Sequence, residues 1–133
     1  MEKDVEKSLD QFKADHRFVI GNDLVFIPNF KLSFDDLFKK KVYTPGEIAY
    51  CDQFADPILR YASTWAAKEA VYKAIKQLDE SPLGPKSIEI SRQKNAGIPS
   101  AIIHKPHAVY KISLTISHDG EYVWAIALIE PDL

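Results

Sequence analysis

Apolar and polar residues follow two different periods along the chain, and the change of period separates helices from strands. Residues 18–26 are rich in β-branched and aromatic side chains, which predicts a first strand. After residue 85 the apolar period becomes two, which predicts four more strands. These cover residues 87–91, 98–103, 110–117 and 122–129. The Asp119-Gly120 pair before the last of them is typical of a two-residue hairpin turn.

Helix start signals define the elements between the first strand and the others. A short helix is predicted over residues 32–41. Thr44, followed three residues later by Glu47, forms a capping box for a helix that is predicted to run to about residue 54. Asp56 begins a long central helix that fades after residue 78, and both helices have proline at their first position.

The central helix is predicted to be buried nearly all round, yet it carries two charges on an apolar side. At 100° per residue, its apolar positions cover two opposite sides. They are Ile58, Tyr61, Trp65 and Tyr72 on one side, and Ala67, Val71, Ile75 and Leu78 on the other. Glu69 and Lys73 lie one turn apart within the first side. Because a lone buried charge is costly, they either pair with each other or face a cleft that binds an outside charge.

The order of the elements predicts one α+β domain, in which a mainly antiparallel sheet packs against the long central helix. The chain has 133 residues, which suffices for one domain with a single core. We expect this domain to cover residues 18–133. Residues 1–17 are mostly charged, with apolar residues at helical spacing, and are expected to form a short helix or an arm.

Charge and cysteine content exclude several classes of function. The net charge of -2 provides no basic excess for general binding to nucleic acid or an anionic membrane. Cys51 is the single cysteine, so an internal disulfide and cysteine-rich zinc sites are excluded. The apolar runs are too short to span a bilayer. A reducing, cytoplasmic location is therefore expected.

A sparse set of polar residues remains as candidate chemistry. Asp23 lies in the first strand beside Gly21, which allows close approach of another backbone or a ligand. His118 ends a strand at the hairpin. Taken singly, Asp23 is more typical of a turn or strand-end aspartate, and His118 of a solvated turn residue. Together with Glu69 and Lys73, they provide oxygen ligands for Mg²⁺ and a cation for a phosphate ester.

Five segments of the chain, in order, resemble the motifs of one family. They are Gly21-Asn-Asp-Leu-Val25, Tyr43-Thr-Pro-Gly-Glu47, Trp65-Ala-Ala-Lys-Glu-Ala-Val-Tyr-Lys-Ala74, Gly97-Ile-Pro99 and Leu114-Thr-Ile-Ser-His118. Each resembles the corresponding motif of holo-acyl-carrier-protein synthases, the short class of 4′-phosphopantetheinyl transferases. The long segment with Ser-His downstream is the specific part of the match.

The resemblance implies an enzyme that transfers the 4′-phosphopantetheine group from coenzyme A to a serine of an apo acyl carrier protein, with release of 3′,5′-ADP. By this analogy Asp23 and Glu69 bind Mg²⁺, and Lys73 neutralises the transferred phosphate. Glu69 would also assist deprotonation of the serine, directly or through a metal-bound water. His118 would contact coenzyme A, and Pro99 would lie near its adenine.

The family pattern also bears on assembly and partners. Val25 stands where longer relatives carry a second carboxylate, so water would fill that metal position, as in the short class. The resemblance to the short class, whose members form trimers with active sites between subunits, implies that this protein is a homotrimer. Carrier proteins are acidic, which favours a basic docking patch that includes Lys39 to Lys41, although a solvated helix end explains the same lysines.

Two departures from the family pattern affect the coenzyme A site. Thr64 stands where the family often has an arginine, and Arg60, one turn earlier, is a candidate to replace its charge. Residues 75–77 replace the usual Leu-Gly loop, so Lys76 is a candidate to hold the 3′-phosphate. These departures leave two alternatives open: a non-catalytic module that binds coenzyme A or a carrier protein, and a Mg²⁺-dependent phosphodiester hydrolase.

Overall fold

The computed structural model describes residues 18–92 and 97–130. Strand β1 is followed by four helices, a 3₁₀ helix and four further strands. The bounds are β1 Val19–Phe26, α1 Ile27–Ser33, α2 Asp36–Val42, α3 Pro45–Cys51, α4 Pro57–Ile75, the 3₁₀ helix Pro85–Ser87, β2 Ile88–Arg92, β3 Pro99–Ile103, β4 Lys111–Asp119 and β5 Tyr122–Glu130. The helix or arm expected over residues 1–17 lies outside the described residues.

The strands form two antiparallel sheets. In the larger one, β5 lies between β1 and β4, and in the smaller one β2 pairs with β3. The register places Asp23 of β1 opposite Ala125 of β5, and His118 of β4 opposite Val123 of β5. The predicted α+β fold with antiparallel strands against a long central helix is confirmed.

Helix α4 is the centre of the core, because the three-stranded sheet packs on its small side chains. Its alanines are fully buried, and so are alternate residues of β5. The residues concerned are Ala62, Ala66, Ala67, Ala70 and Ala74 of α4, and Val123, Ala125, Ala127 and Ile129 of β5. Short side chains let a helix and a sheet approach closely without voids. The prediction that α4 is buried nearly all round is confirmed.

The prediction of a single helix over residues 32–41 is wrong, because two short helices occupy this region. Helix α1 begins at Ile27, directly after β1, with Pro28 in its first turn, where the missing N–H has no intrahelical partner to lose. Helix α2 has its own cap, because Asp35 accepts a hydrogen bond of 2.8 Å from the Phe38 nitrogen. Helices α3 and α4 end at Cys51 and Ile75, each about a turn before the predicted end.

The predicted hairpin between β4 and β5 exists, but its turn lies one residue later than predicted. Asp119 pairs with Tyr122, so the loop residues are Gly120 and Glu121. Gly120 has a φ of 57°, a conformation that suits glycine at the first loop position. His118 therefore lies inside β4 with an exposed side chain.

Candidate active site

Strand β1 lies directly on α4 at Gly21, and this contact sets the position of Asp23. A Cβ at Gly21 would overlap the Ala70 carbonyl oxygen and lie 2.7 Å from the Ala74 nitrogen. The prediction that Gly21 allows another backbone to come close is confirmed. Since side chains two residues apart share one face of a strand, Asp23 also faces α4.

Asp23 forms an ion pair with Lys73 of α4. The Lys73 Nζ lies 2.9 Å from Asp23 Oδ1 and donates a second hydrogen bond of 3.1 Å to the Asn22 carbonyl oxygen. The Lys73 side chain is 50% exposed and that of Asp23 is 16% exposed. The first alternative for the helix, an ion pair between Glu69 and Lys73, is therefore wrong. Lys73 prefers Asp23 because β1 brings that carboxylate across the helix.

Glu69 lies at the rim of a cavity of about 310 Å³ that Tyr72, Leu83 and Ile88 line with it. It is half-buried, and no ion pair to it occurs within residues 18–92 and 97–130. Burial raises the pKa of Glu69, the Asp23 carboxylate raises it further, and Lys73 partly opposes both. A second cation beside Asp23 and Glu69 would therefore be favourable.

The two carboxylates fit a hard divalent cation that keeps part of its water shell. No cluster of three or more histidine, cysteine or acidic residues occurs in the described part of the chain, so a closed protein cage for a metal is not formed there. Mg²⁺ typically takes one or two carboxylates and completes its shell with water and substrate phosphates. Asp23 and Glu69 supply such a set.

Pro99 and His118 line a different cavity, of about 450 Å³. His118 Nε2 lies 3.0 Å from the Gly120 carbonyl oxygen, which orients the ring at the hairpin. The same cavity is lined by two arginines, Arg60 of α4 and Arg92 of β2. It thus combines cationic side chains with a histidine and an apolar ring.

The two groups of predicted site residues lie on different sides of α4. Glu69 follows Arg60 by nine residues, which corresponds to about half a turn of rotation and ~13 Å along the axis. Within one chain the structure therefore brings Asp23 together with Glu69 and Lys73, and separately brings Pro99 together with His118.

Sequence reasoning missed Lys68, which is 1% exposed and forms a buried ion pair with Glu47. Lys68 Nζ lies 2.6 Å and 2.9 Å from the two Glu47 oxygens and also donates to the Ile88 carbonyl. Glu47 additionally accepts from the nitrogens of Thr44 and Ile90, each at 2.8 Å. Burial lowers the pKa of Lys68, and Glu47 opposes that shift.

A signal for this pair existed in the sequence. Lys68 lies between Thr64 and Val71 on the apolar side of α4, where a charge needs a partner. The carboxylate at the third position of a predicted capping box, Glu47, was available for that role. The predicted capping box itself is confirmed.

The structure gives both departures from the family pattern a local explanation. Thr64 is buried, donates a hydrogen bond of 2.8 Å to the Arg60 carbonyl and accepts one of 3.1 Å from Arg92 Nη1. The cation beside Thr64 thus comes from β2. Lys76 donates to the carbonyl oxygens of Glu80 at 3.2 Å and Ser81 at 2.8 Å, and so closes the loop after α4.

Among the helices that the structure describes, no segment combines the length and the apolar character that crossing a bilayer requires.

Comparison with known proteins identifies the family of this arrangement. Residues 19–127 match the family model described as ACPS, 4′-phosphopantetheinyl transferase superfamily. A holo-[acyl-carrier-protein] synthase of Chlorobaculum parvum is 37% identical over 115 residues, covering 84% of this chain and 97% of the relative. The corresponding enzyme of Chlamydia trachomatis is 35% identical over 119 residues, covering 85% of this chain and 99% of the relative.

A solved structure agrees with both relatives. The ACPS–CoA complex of Chronobacterium ammoniagenes superposes with a TM-score of 0.75 at 27% identity, covering 87% of this chain and 98% of the other. The motifs that suggested the resemblance lie within the matched region. The chain belongs to the holo-acyl-carrier-protein synthase (ACPS) family of the 4′-phosphopantetheinyl transferase superfamily.

Proposed function

We propose that the protein transfers the 4′-phosphopantetheine group of coenzyme A to a serine of an apo acyl carrier protein and releases 3′,5′-ADP. The observation that carries the proposal is the group formed by Asp23, Glu69 and Lys73 at the contact of β1 with α4, in a member of this family. Relatives that this chain matches over nearly their whole length are named holo-[acyl-carrier-protein] synthases. One solved family member is a complex with CoA. The domain responsible would comprise residues 18–133.

Asp23 and Glu69 would hold Mg²⁺ in this protein. Support comes from the chemistry of the donors, two carboxylates, and from the pKa of Glu69, which burial raises and the neighbouring Asp23 carboxylate raises further. When bound, the ion would neutralise charge on the pyrophosphate of coenzyme A. Lys73, half-exposed beside Asp23, would place its ammonium on the phosphate that is transferred.

Glu69 is also the proposed base of the reaction. Its carboxylate would accept the proton of the carrier serine as the serine oxygen forms a bond to phosphorus. The bond from that phosphorus to the oxygen of 3′,5′-ADP breaks, and the nucleotide leaves.

His118 and Pro99 would contact coenzyme A from the cavity that they share. Their separation from Glu69 along α4 supports an active site that two subunits complete, and hence the proposed homotrimer. The outer face of the β1–β5–β4 sheet provides an apolar surface for such a contact. Its exposed large apolar side chains are Ile20, Leu24, Tyr122 and Trp124, which come from β1 and β5. Apolar faces of this kind are typical of interfaces.

The basic end of α2 is the proposed docking surface for the acidic carrier protein. Lys39 forms a 3.5 Å ion pair with Asp52, whereas Lys40 and Lys41 are exposed together with Leu37. Such a mixed apolar and basic surface suits an acidic amphipathic partner. We also propose that the protein works in the cytoplasm, where its buried free Cys51 would remain reduced.

The test is incubation of the purified full chain with coenzyme A and several apo acyl carrier proteins, with and without Mg²⁺. Mass spectrometry is expected to show one phosphopantetheine added to a carrier serine and an equal amount of 3′,5′-ADP, only when Mg²⁺ is present. The same carrier with its acceptor serine replaced by alanine is the control and should remain unmodified.

Two outcomes would contradict the proposal and identify an alternative. Release of 3′,5′-ADP without any carrier protein would indicate a phosphodiester hydrolase. Binding of coenzyme A with no modified serine on any carrier would indicate a non-catalytic module.

A further inference from the structure

The ion pair between Lys73 and Asp23 joins two groups to which the proposed reaction gives other partners. Lys73 Nζ lies 2.9 Å from Asp23 Oδ1. Asp23 is a proposed ligand of Mg²⁺, and Lys73 is proposed to contact the transferred phosphate. An ammonium and a divalent cation on one carboxylate repel each other. While Lys73 is paired with Asp23, it therefore weakens the binding of a divalent cation to that carboxylate.

Of the two partners, Asp23 is held in place and Lys73 is able to move. Strand β1 lies so close to α4 that a Cβ at Gly21 would overlap the helix backbone, which fixes the strand that carries Asp23. The Asp23 side chain is 16% exposed and that of Lys73 is 50% exposed. An exposed ion pair contributes little stability, and lysine has a flexible four-carbon stem. A competing charge at this pair therefore moves the lysine and not the aspartate.

The Asn22 carbonyl oxygen gives Lys73 a second bond that does not depend on Asp23. This oxygen accepts from Lys73 Nζ at 3.1 Å. It belongs to the backbone of β1, which is fixed by pairing with β5. An ammonium has three donors, and the bonds to Asn22 and Asp23 use two of them. Lys73 can therefore exchange Asp23 for a phosphate oxygen and remain bound to β1.

Glu69 lies close enough to this pair to experience both of its charges. Burial raises the pKa of Glu69, the Asp23 carboxylate raises it further, and Lys73 lowers it. Two carboxylates and one ammonium, all ionised, leave one net negative charge. Removal of the ammonium to a phosphate leaves two negative charges, which match one divalent cation.

We propose that Lys73 is a displaceable counter-ion, which withholds Asp23 from Mg²⁺ until a phosphate of the donor draws its ammonium away. The inference rests on the proposed function for the metal and the donor, and it adds a coupling between them. Because Lys73 leaves Asp23 for the phosphate, coenzyme A strengthens the binding of Mg²⁺, and Mg²⁺ strengthens that of coenzyme A by the same factor. The free protein binds Mg²⁺ weakly, so the complete site forms only when the donor is present.

Titration calorimetry of the full chain with MgCl₂, with and without saturating coenzyme A, tests this role of Lys73. Lys73→Gln removes the charge and keeps a hydrogen-bond donor. Without coenzyme A, we expect this variant to bind Mg²⁺ about tenfold or more tightly than the wild type. The factor by which coenzyme A strengthens Mg²⁺ binding should be smaller in Lys73→Gln than in the wild type.

Two control variants separate displacement from a general effect of charge. Lys73→Arg keeps the cation and should bind Mg²⁺ as weakly as the wild type. Lys76→Gln removes an equal charge directly after α4, where the lysine bonds two loop carbonyls, and should also bind like the wild type. The shift of Tm on addition of MgCl₂ should rank the four proteins in the same order.

Three results would each overturn the inference. They are Mg²⁺ binding by Lys73→Gln that is no tighter than that of the wild type, an equal gain in Lys76→Gln, and a coupling with coenzyme A that Lys73→Gln leaves unchanged. Where carriers are modified but one of these results is found, only the displaceable counter-ion is refuted. Where the Mg²⁺ affinities differ as expected but no carrier is modified, only the proposed transfer is refuted.

Discussion

Two lysines of helix α4, five residues apart, form ion pairs of opposite character. Lys68 and Glu47 are both 1% exposed, and the carboxylate has every oxygen engaged by the lysine and by backbone nitrogens. Lys73 and Asp23 are 50% and 16% exposed, at the rim of the sheet. The first pair is closed on all sides, and the second is open to a ligand.

The difference in burial separates a structural role from a chemical role within one motif, Trp65 to Ala74, which contains both lysines. A buried pair whose bonds are all internal can exchange nothing with a substrate, and it joins α3, α4 and β2. An open pair contributes little stability, because solvent screens it, but its ammonium can move from a carboxylate to a phosphate. We therefore assign Lys68 to the fold and propose Lys73 for the reaction.

The largest effect is expected from breaking the closed pair. Lys68→Met leaves the Glu47 carboxylate buried without a cation, and we expect the free energy of unfolding to fall by about 3–5 kcal/mol. Urea denaturation monitored by tryptophan fluorescence and circular dichroism measures this loss. Lys73→Met, the matched removal of the open lysine, should cost no more than ~1 kcal/mol.

A double variant tests the physical reason for that loss. In Lys68→Met with Glu47→Gln the uncompensated charge is gone, so the double variant should be more stable than Lys68→Met alone. An equal or larger loss in the double variant would show that packing rather than buried charge dominates at Lys68.

The second largest effect is expected at Glu69, where a substitution should reduce activity but leave the fold intact. Glu69→Gln keeps the shape of the side chain but removes the proposed base and metal ligand. We expect carrier labelling to slow by at least about 100-fold, with a free energy of unfolding equal to or above that of the wild type. The labelling rate at saturating coenzyme A, together with urea denaturation, measures both.

Glu80→Gln is the control for this variant, since it removes an exposed carboxylate in the loop after α4 and should leave the rate unchanged. Unfolding of Glu69→Gln would point to a structural role of Glu69. A rate within about tenfold of the wild type would remove Glu69 from the proposed chemistry.

Local signals explain which parts of the fold the sequence predicted. The capping box at Thr44 and the cap at Asp56 depend on residues three positions apart, and both occur as predicted. The predicted two-residue turn between β4 and β5 differs from the observed one by a single residue, because Asp119 pairs with Tyr122. The division of residues 27–42 into two helices was missed although Asp35 is a good cap, since a short apolar run fits either arrangement.

Long-range partners explain what the sequence could not predict. Lys73 binds a carboxylate 50 positions away, and Arg92 bonds Thr64 28 positions away. Helical periodicity placed Glu69 and Lys73 on one side of α4 but gave no information on which strand crosses there. The Lys68–Glu47 pair is different: it was missed, but a lysine on an apolar side of a helix already implies a buried acid.

The smallest effect tests the open site through pH. Because the pKa of Glu69 is raised in the folded state, the folded protein binds a proton at pH values where the unfolded chain has released it. Stability due to this group therefore falls as pH rises from 4.5, the ordinary pKa of a glutamate, through the raised pKa, and levels off above it. The difference in unfolding free energy, wild type minus Glu69→Gln, should fall over that window and recover when Mg²⁺ is added at high pH. Urea denaturation between about pH 4 and 9 measures this difference. For the control, the difference in unfolding free energy between the wild type and Glu80→Gln should not fall over the same pH window. A difference for Glu69→Gln that is flat with pH, or indifferent to Mg²⁺, would mean that Glu69 experiences neither the Asp23 charge nor a metal.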